Sequence, residues 1–183
     1  MEDEQINHSS TSEKIDNEPI SKATHLVAAS YSHYLNNSAQ AEIMGLMLDD
    51  KIGEKQADEA IGRIKTVTDA FTQVSRLPKS SETTKEQAFG KGAEEAAQEL
   101  LRKTKAILAA KDDPRSQDLA LRIEVFTTKL TPLDSLVNMI EEITPGLPST
   151  SAISKKLSNF FRDESNSDKI MPGYNVVKLE DSI

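Results

Sequence analysis

Apolar residues recur at helical spacing along most of this chain, most clearly over 54–77. The apolar positions there follow one another at steps of three and four residues: Ala57, Ala60, Ile64, Val67, Phe71 and Val74. This spacing keeps one face of an α-helix apolar for more than two heptads. Pro78 then ends the pattern, because proline has no backbone N–H group with which to continue the helix. We therefore predict a helix over 54–77.

The preceding segment, 21–49, is predicted to be mainly helical with one interruption. Asn36 and Asn37 compete for backbone hydrogen bonds and prefer helix ends, so they predict a break followed by a second short helix. That second helix is apolar nearly all round over 43–48, which indicates burial on several sides. The methionines in it also suit an adaptable binding surface, but a place in the core is the preferred interpretation.

Residues 82–111 are predicted to form one helix, although two glycines lie inside it. Gly90 and Gly92 each cost about 1 kcal/mol in a helix interior, so a late helix start or a close approach to a neighbour stays an alternative. Together with the lysine between them they also hint at a phosphate-binding loop. That loop needs a glycine where this chain has Lys85, and a serine or threonine directly after its lysine. The motif therefore does not predict nucleotide binding.

The rest of the pattern predicts three more helices. Asp113-Pro114 is a helix start, and Thr131-Pro132 divides the following apolar stripe into two helices that meet near 131. A last helix covers 152–163. The predicted fold is therefore all-α, a bundle of five to six helices over 20–163. The residues predicted to be buried between these helices are Ile64, Phe71, Leu100, Ile123, Phe126 and Val137.

The two ends of the chain differ from the middle in charge. Residues 1–19 hold six acids and one lysine, and 163–183 hold five acids and two lysines. These two segments account for the formal net charge of −8, so the middle is neutral. Neither end has the apolar content to offset the entropy lost on folding. We therefore predict a disordered acidic tail over 1–19, a helical domain over 20–163 and a second disordered tail over 164–183.

The sequence marks no catalytic, cofactor-binding or metal-binding residue. The absence of cysteine excludes disulfides, thiolate nucleophiles and cysteine zinc sites. His25 and His33 are eight residues apart, twice the spacing at which two histidines of one helix bind zinc. Carboxylate pairs such as Glu94-Glu95 are typical of solvated helix faces, and none lies in the pattern of a di-metal bundle. No serine occupies a nucleophile elbow. We therefore predict no cofactor.

Candidate partner-binding residues are concentrated near the C-terminal end. The last predicted helix is basic and amphipathic, and such a helix can dock on a partner, lie on an anionic membrane or cap the bundle. Farther on, Tyr174 and Val177 form an aromatic-x-x-aliphatic pattern that resembles tyrosine sorting signals and autophagy-receptor ligands. The alternative is that this segment packs back on the body as an extended strip. The predicted partner-binding residues are Phe160, Phe161, Met171, Tyr174, Val176, Val177 and Leu179.

These observations favour a protein–protein interaction module without enzymatic activity, such as an adaptor, an inhibitor, an immunity protein or a host-directed bacterial effector. Two alternatives stay open: an enzyme whose site is assembled in space from unmarked residues, and a membrane-surface or lipid-binding protein. The neutral middle of the chain predicts no nucleic-acid partner, because that affinity comes from neutralising phosphates. The expected partner is therefore another protein.

The predicted location is the cytoplasm. The N-terminus has no apolar signal-peptide core, and no run of 18 apolar residues occurs. The C-terminal tail combines small polar and acidic residues with apolar ones near its end. In this it is similar to the translocation signals of bacterial type IV secretion effectors, and that resemblance implies delivery to a host cytosol.

Overall fold

Six α-helices make up most of the part of the chain that the computed structural model describes, residues 17–171 and 176–179 without the side chain of Met171. The helices are α1 (Lys22–Leu48), α2 (Glu54–Ser75), α3 (Gly92–Ala109), α4 (Pro114–Lys129), α5 (Pro132–Ile143) and α6 (Pro148–Arg162). Two short 3₁₀ helices, Lys85–Ala88 and Glu164–Asn166, and two strands, β1 (Ile170–Met171) and β2 (Val176–Val177), complete the described elements. The predicted all-α bundle is confirmed.

The first helix continues through the asparagine pair that the sequence predicts to interrupt it. Ser21 caps α1, because its side chain accepts a hydrogen bond from the backbone N–H of Thr24. Asn37 is exposed on the helix surface, so its side chain leaves the helical backbone bonds intact. Leu35 and Ala39 are buried on either side of the pair. Their burial outweighs the fraction of a kcal/mol by which asparagine disfavours a helix, so the predicted break is wrong.

The glycine pair marks a break where the sequence predicts one continuous helix over 82–111. A 3₁₀ turn ends at Ala88 and α3 begins at Gly92, so the late-start alternative is the correct one. Gly90 has a φ of 62°, and its N–H donates to the carbonyl oxygen of Phe161 at 2.7 Å. A Cβ on Gly92 would overlap the backbone carbonyl of Gln87. Both glycines are therefore required by the backbone path that brings the start of α3 against the end of α6.

Three glutamates each cap the N-terminus of another helix. A carboxylate oxygen of Glu99 accepts the backbone N–H of Ser21 at 3.2 Å, and one of Glu94 accepts that of Leu133 at 2.9 Å. Glu42 accepts the first backbone N–H groups of α6 at 2.9 Å. A carboxylate is favourable at a helix N-terminus, where unpaired N–H groups and the helix dipole carry positive charge. These contacts fix α1, α5 and α6 relative to their neighbours. Glu94, which the sequence predicts to lie on a solvated helix face, therefore has a structural role.

Most of the predicted core is buried. Ile64, Phe71, Leu100 and Ile123 are all buried between helices, as predicted. The two remaining predicted core residues, Phe126 and Val137, are only half-buried. Phe126 packs at the edge of the main cluster near the end of α4. In α5 the buried face is formed by neighbours of Val137 on the helix surface: Leu133, Leu136 and Ile140. For Phe126 and Val137 the prediction of full burial is wrong, because periodicity defines a stripe but not its exact centre.

Candidate protein-docking surface

Large apolar side chains are exposed near the turn that joins α1 to α2. Leu48 is 81% exposed, Met44 63% and Met47 41%, and Ile61 on α2 is 43% exposed. Residues three and four apart lie on the same face of a helix, so the three α1 side chains form one surface. We refer to these four residues as the hairpin patch. Exposed apolar side chains on one helix face, as the three on α1 are, are typical of sites that bind proteins or membranes.

A groove between α1 and α2 adjoins the hairpin patch. It encloses about 350 Å³ and is lined on α1 by Ala39, Gln40 and Ile43 and on α2 by Ile61 and Ile64, among others. Ala39, Ile43 and Ile64 are buried and form an apolar floor, whereas Ile61 stands exposed at the side. We call this the hairpin groove. Ile61 belongs to both the patch and the groove, which is a concave channel between two helices.

The exposure of Met44 and Met47 corrects the prediction that 43–48 lies in the core. A second, smaller cluster around Ile43 and Leu147 covers one side of this end of α1. No described element covers the side that carries the methionines. Sequence periodicity cannot show on which sides of a helix its neighbours lie. The methionine content was the signal for the alternative, since methionine suits adaptable binding surfaces.

Negative charge borders the hairpin patch. The last turn of α1 contains no basic residue, although a cation is the favourable neighbour of a helix C-terminus. The six charged residues that follow, in the turn and the start of α2, have a net charge of −2: Asp49, Asp50, Lys51, Glu54, Lys55 and Asp58. Lys51 lies 3.3 Å from Asp49 and offsets only that carboxylate. The end of the hairpin is therefore an apolar surface with an acidic rim.

The predicted partner-binding residues of the last helix lie against the bundle. Phe161 is fully buried, with its ring centroid 5.4 Å from that of Phe89 and 6.4 Å from that of Tyr31. Phe160 is half-buried and packs against the same cluster. Tyr31 is itself buried and bonded to Ser158, and this burial raises the pKa of its phenol. These aromatic residues hold α6 on α1.

The described residues of the C-terminal segment pack on α1. Val176 and Val177 are buried, and β2 pairs with β1 in antiparallel register. The backbone N–H of Val177 donates to Ser30 Oγ at 3.2 Å, and the Tyr34 hydroxyl donates to the carbonyl oxygen of Val177. Leu179, half-buried, donates its backbone N–H to the same hydroxyl at 3.3 Å. These residues therefore form an extended strip against the body, which is the alternative given for this segment in the sequence analysis.

Two of the predicted partner-binding residues cannot be placed. Tyr174 and the side chain of Met171 lie outside the described residues. The short helix Glu164–Asn166 and both strands fall within the segment predicted to be a disordered tail, and Asn166 is buried. Every member of the predicted set whose side chain is described is thus at least half-buried by the chain itself.

Two polar cavities elsewhere in the described chain contain ionic groups that have structural partners. A cavity of about 650 Å³ beside the start of α1 contains Glu99, whose carboxylate caps that helix. A cleft of about 340 Å³ contains Arg63 and Arg122, which pair with Glu59 and Glu142 of the same cleft. These ionic groups bind one another within the cleft.

The half-buried imidazole of His25 lies between α1 and α2. Its Nδ1 donates to the carbonyl oxygen of Ser75 at 2.7 Å, and burial lowers its pKa. Its Nε2 is buried without a hydrogen-bond partner. Across residues 17–171 and 176–179, no group of three histidine or acidic side chains is arranged to hold a metal ion.

Comparison with known proteins finds no family model, no curated protein sequence and no solved structure that matches this chain. In the described part of the chain, none of the helices combines the length and the apolar content needed to cross a bilayer.

Proposed function

We propose that this chain is a non-enzymatic protein-interaction module that docks its partner on the hairpin patch and the hairpin groove. The observation that carries the proposal is the joint exposure of Met44, Met47 and Leu48 on one face at the end of α1. An adaptor, an inhibitor, an immunity protein or a host-directed effector would each use such a surface. The compartment in which it acts follows from the partner.

The energetics of the patch support this proposal. Fully burying a leucine or methionine side chain contributes about 1.5–3 kcal/mol relative to leaving it in water. Leu48 and Met44 are mostly exposed, so most of that gain is available to a partner. Binding energy in interfaces is concentrated in a few buried anchors surrounded by polar contacts. The patch supplies such anchors, and the charged turn supplies the polar surroundings.

The C-terminal segment stays a second candidate for partner binding. Its described anchors, Val176 and Val177, are buried against α1, so a partner that used them would first have to displace the segment. The hairpin patch needs no rearrangement. We therefore place the docking surface at the hairpin.

A capture experiment with matched surface variants tests the proposal. The variant Met44→Gln/Leu48→Gln removes two exposed anchors, and Leu121→Gln/Val125→Gln makes the same change on α4, where these residues are 64% and 49% exposed. Each chain is immobilised, and the proteins it retains from lysate of the source cells are quantified by mass spectrometry. We expect the hairpin variant alone to lose specific proteins. Retention of every protein by the hairpin variant, or an equal loss in the α4 variant, would contradict the proposal.

A further inference from the structure

Resting on that proposed function, we infer that the partner presents a basic amphipathic α-helix, which lies along the hairpin groove with its apolar face inward. Three features of the hairpin favour this occupant: the length of the stripe along α1, the apolar floor of the groove and the acidic rim. Each feature restricts the chemistry of the occupant.

A stripe of α1 side chains along the groove and the patch is long enough to contact a partner helix. The α1 residues that border the groove, Asn36, Gln40 and Ile43, and then Met47 of the patch follow at steps of four, three and four. This is the spacing at which two packed helices interdigitate their side chains. The span from Asn36 to Met47 is about 16 Å at 1.5 Å per residue, so it accommodates about three turns of a partner helix. A partner would contribute apolar residues at i, i+3 or i+4, and i+7.

The groove is a channel between two helices, and the one lysine and one aspartate among its lining residues offset each other in charge. Its floor is apolar because Ala39, Ile43 and Ile64 are buried there, and Ile61 on α2 forms a wall. Two helices side by side leave a channel into which the ridge of a third helix fits. Met47, on an unbranched flexible side chain, can adjust to the shape of the incoming residues.

The acidic rim selects the charge of the partner. The C-terminal end of α1 carries the negative end of the helix dipole and has no basic residue in its last turn. Asp49 and Asp50 follow directly, and the turn together with the start of α2 has a net charge of −2 over 49–58. Lysine or arginine residues flanking the apolar face of a partner helix would complement this charge. Because the rim is exposed, the attraction should weaken at high salt.

The undescribed ends of the chain do not fit this groove. Residues 1–16 hold five acids and one lysine, and 180–183 hold two acids and no base. Both would meet the acidic rim with like charge. A second copy that docked through the same surface is also unfavourable, because it would bring a second acidic rim against this one. A basic helix from another protein is the occupant that the observations favour.

A peptide titration tests this inference on the full chain. The probe is an 18-residue alanine-rich peptide with leucines at steps of four, three and four and lysines beside them. Two matched peptides carry glutamate in place of lysine, or leucines at every second position. Binding is followed by amide chemical shifts of the ¹⁵N-labelled protein. We expect the lysine helix to shift the amides of 40–48 and 61, and to bind at least ~10-fold more tightly than either matched peptide.

Variants of the protein complete the test. Met47→Gln/Ile61→Gln should weaken the lysine helix by ~10-fold or more, whereas Leu121→Gln/Val125→Gln should leave its affinity unchanged. Raising NaCl from 0.1 to 0.5 M should weaken it several-fold. Equal binding of the lysine and glutamate peptides, stronger binding of the alternating peptide, or shifts centred on α4 would overturn the inference.

The outcome separates this inference from the proposed function. If capture depends on Met44 and Leu48 but none of the peptides binds the groove, the docking surface stands and the helical partner is wrong. Concentration-dependent sedimentation that Met47→Gln/Ile61→Gln abolishes would instead identify a second copy as the occupant, and would likewise overturn the basic helix. If neither capture nor peptide binding depends on the hairpin, both proposals fail.

Discussion

Tyr34→Phe should release the C-terminal segment while leaving the bundle folded. The Tyr34 hydroxyl donates to the carbonyl oxygen of Val177 and accepts the N–H of Leu179. Phenylalanine keeps the ring and removes both bonds. Each bond contributes about 0.5–1.5 kcal/mol net, so the free energy that holds the segment closed should fall by about 1–3 kcal/mol. The global free energy of unfolding should change less, because the segment can open locally.

Amide hydrogen exchange measures this opening directly. The N–H of Val177 bonds to Ser30, which the variant does not touch, so its exchange reports whether the segment opens. A loss of 1–3 kcal/mol corresponds to roughly 5- to 150-fold faster exchange at Val177. The matched control is Tyr31→Phe, which removes the hydroxyl bonded to Ser158 inside the bundle. If Val177 exchanges less than twofold faster in Tyr34→Phe, or equally fast in both variants, the Tyr34 hydroxyl does not hold the C-terminal segment closed.

Three further predictions concern stability. Phe161→Ala should lower the free energy of unfolding in urea by about 3–5 kcal/mol, and Phe160→Ala by about half as much, because Phe161 is fully buried and Phe160 half-buried. An equal loss of unfolding free energy in the two variants would contradict this difference in burial. Gly92→Ala should lower the melting temperature, although alanine favours helices, because its Cβ would overlap Gln87; a higher melting temperature would refute that contact. The folded state depresses the pKa of His25, so the unfolded chain binds the proton more readily and stability should be lost as the pH falls below about 6.5. His25→Gln should therefore lessen the fall in melting temperature between pH 7 and 5. An unchanged fall would exclude His25 as its cause.

Local signals in the sequence predict those helix ends that are marked by proline. Pro78 follows α2 closely, and Pro114 and Pro132 open α4 and α5, where proline at the first turn needs no hydrogen-bond partner. The asparagine pair in α1 misleads because its effect on the helix is small and long-range packing of Leu35 and Ala39 outweighs it. The end of a helix is thus predictable where the residue that marks it has a large effect on helix stability, as proline has.

The candidate docking surface could be predicted only in part, because exposure depends on the arrangement of distant elements. The run of apolar residues over 43–48 fits a buried helix as well as an exposed one. Only the folded chain shows that Met44 and Leu48 are left uncovered. The reverse holds for Val176 and Val177, which lie in a polar segment of the sequence but are buried. The backbone of Val177 bonds to two side chains that lie more than 140 residues away.

Site-specific photo-crosslinking shows whether a partner docks at the end of the α1–α2 hairpin. A benzophenone amino acid replaces Leu48 in the hairpin patch or, in the control, the similarly exposed Leu121 on α4. We expect irradiation in the source cells to yield a discrete adduct from position 48. Met44→Gln in the same chain should diminish this adduct, and position 121 should yield no such adduct. The absence of any adduct from position 48, or the same adduct from both positions, would contradict a docking surface at the end of the α1–α2 hairpin.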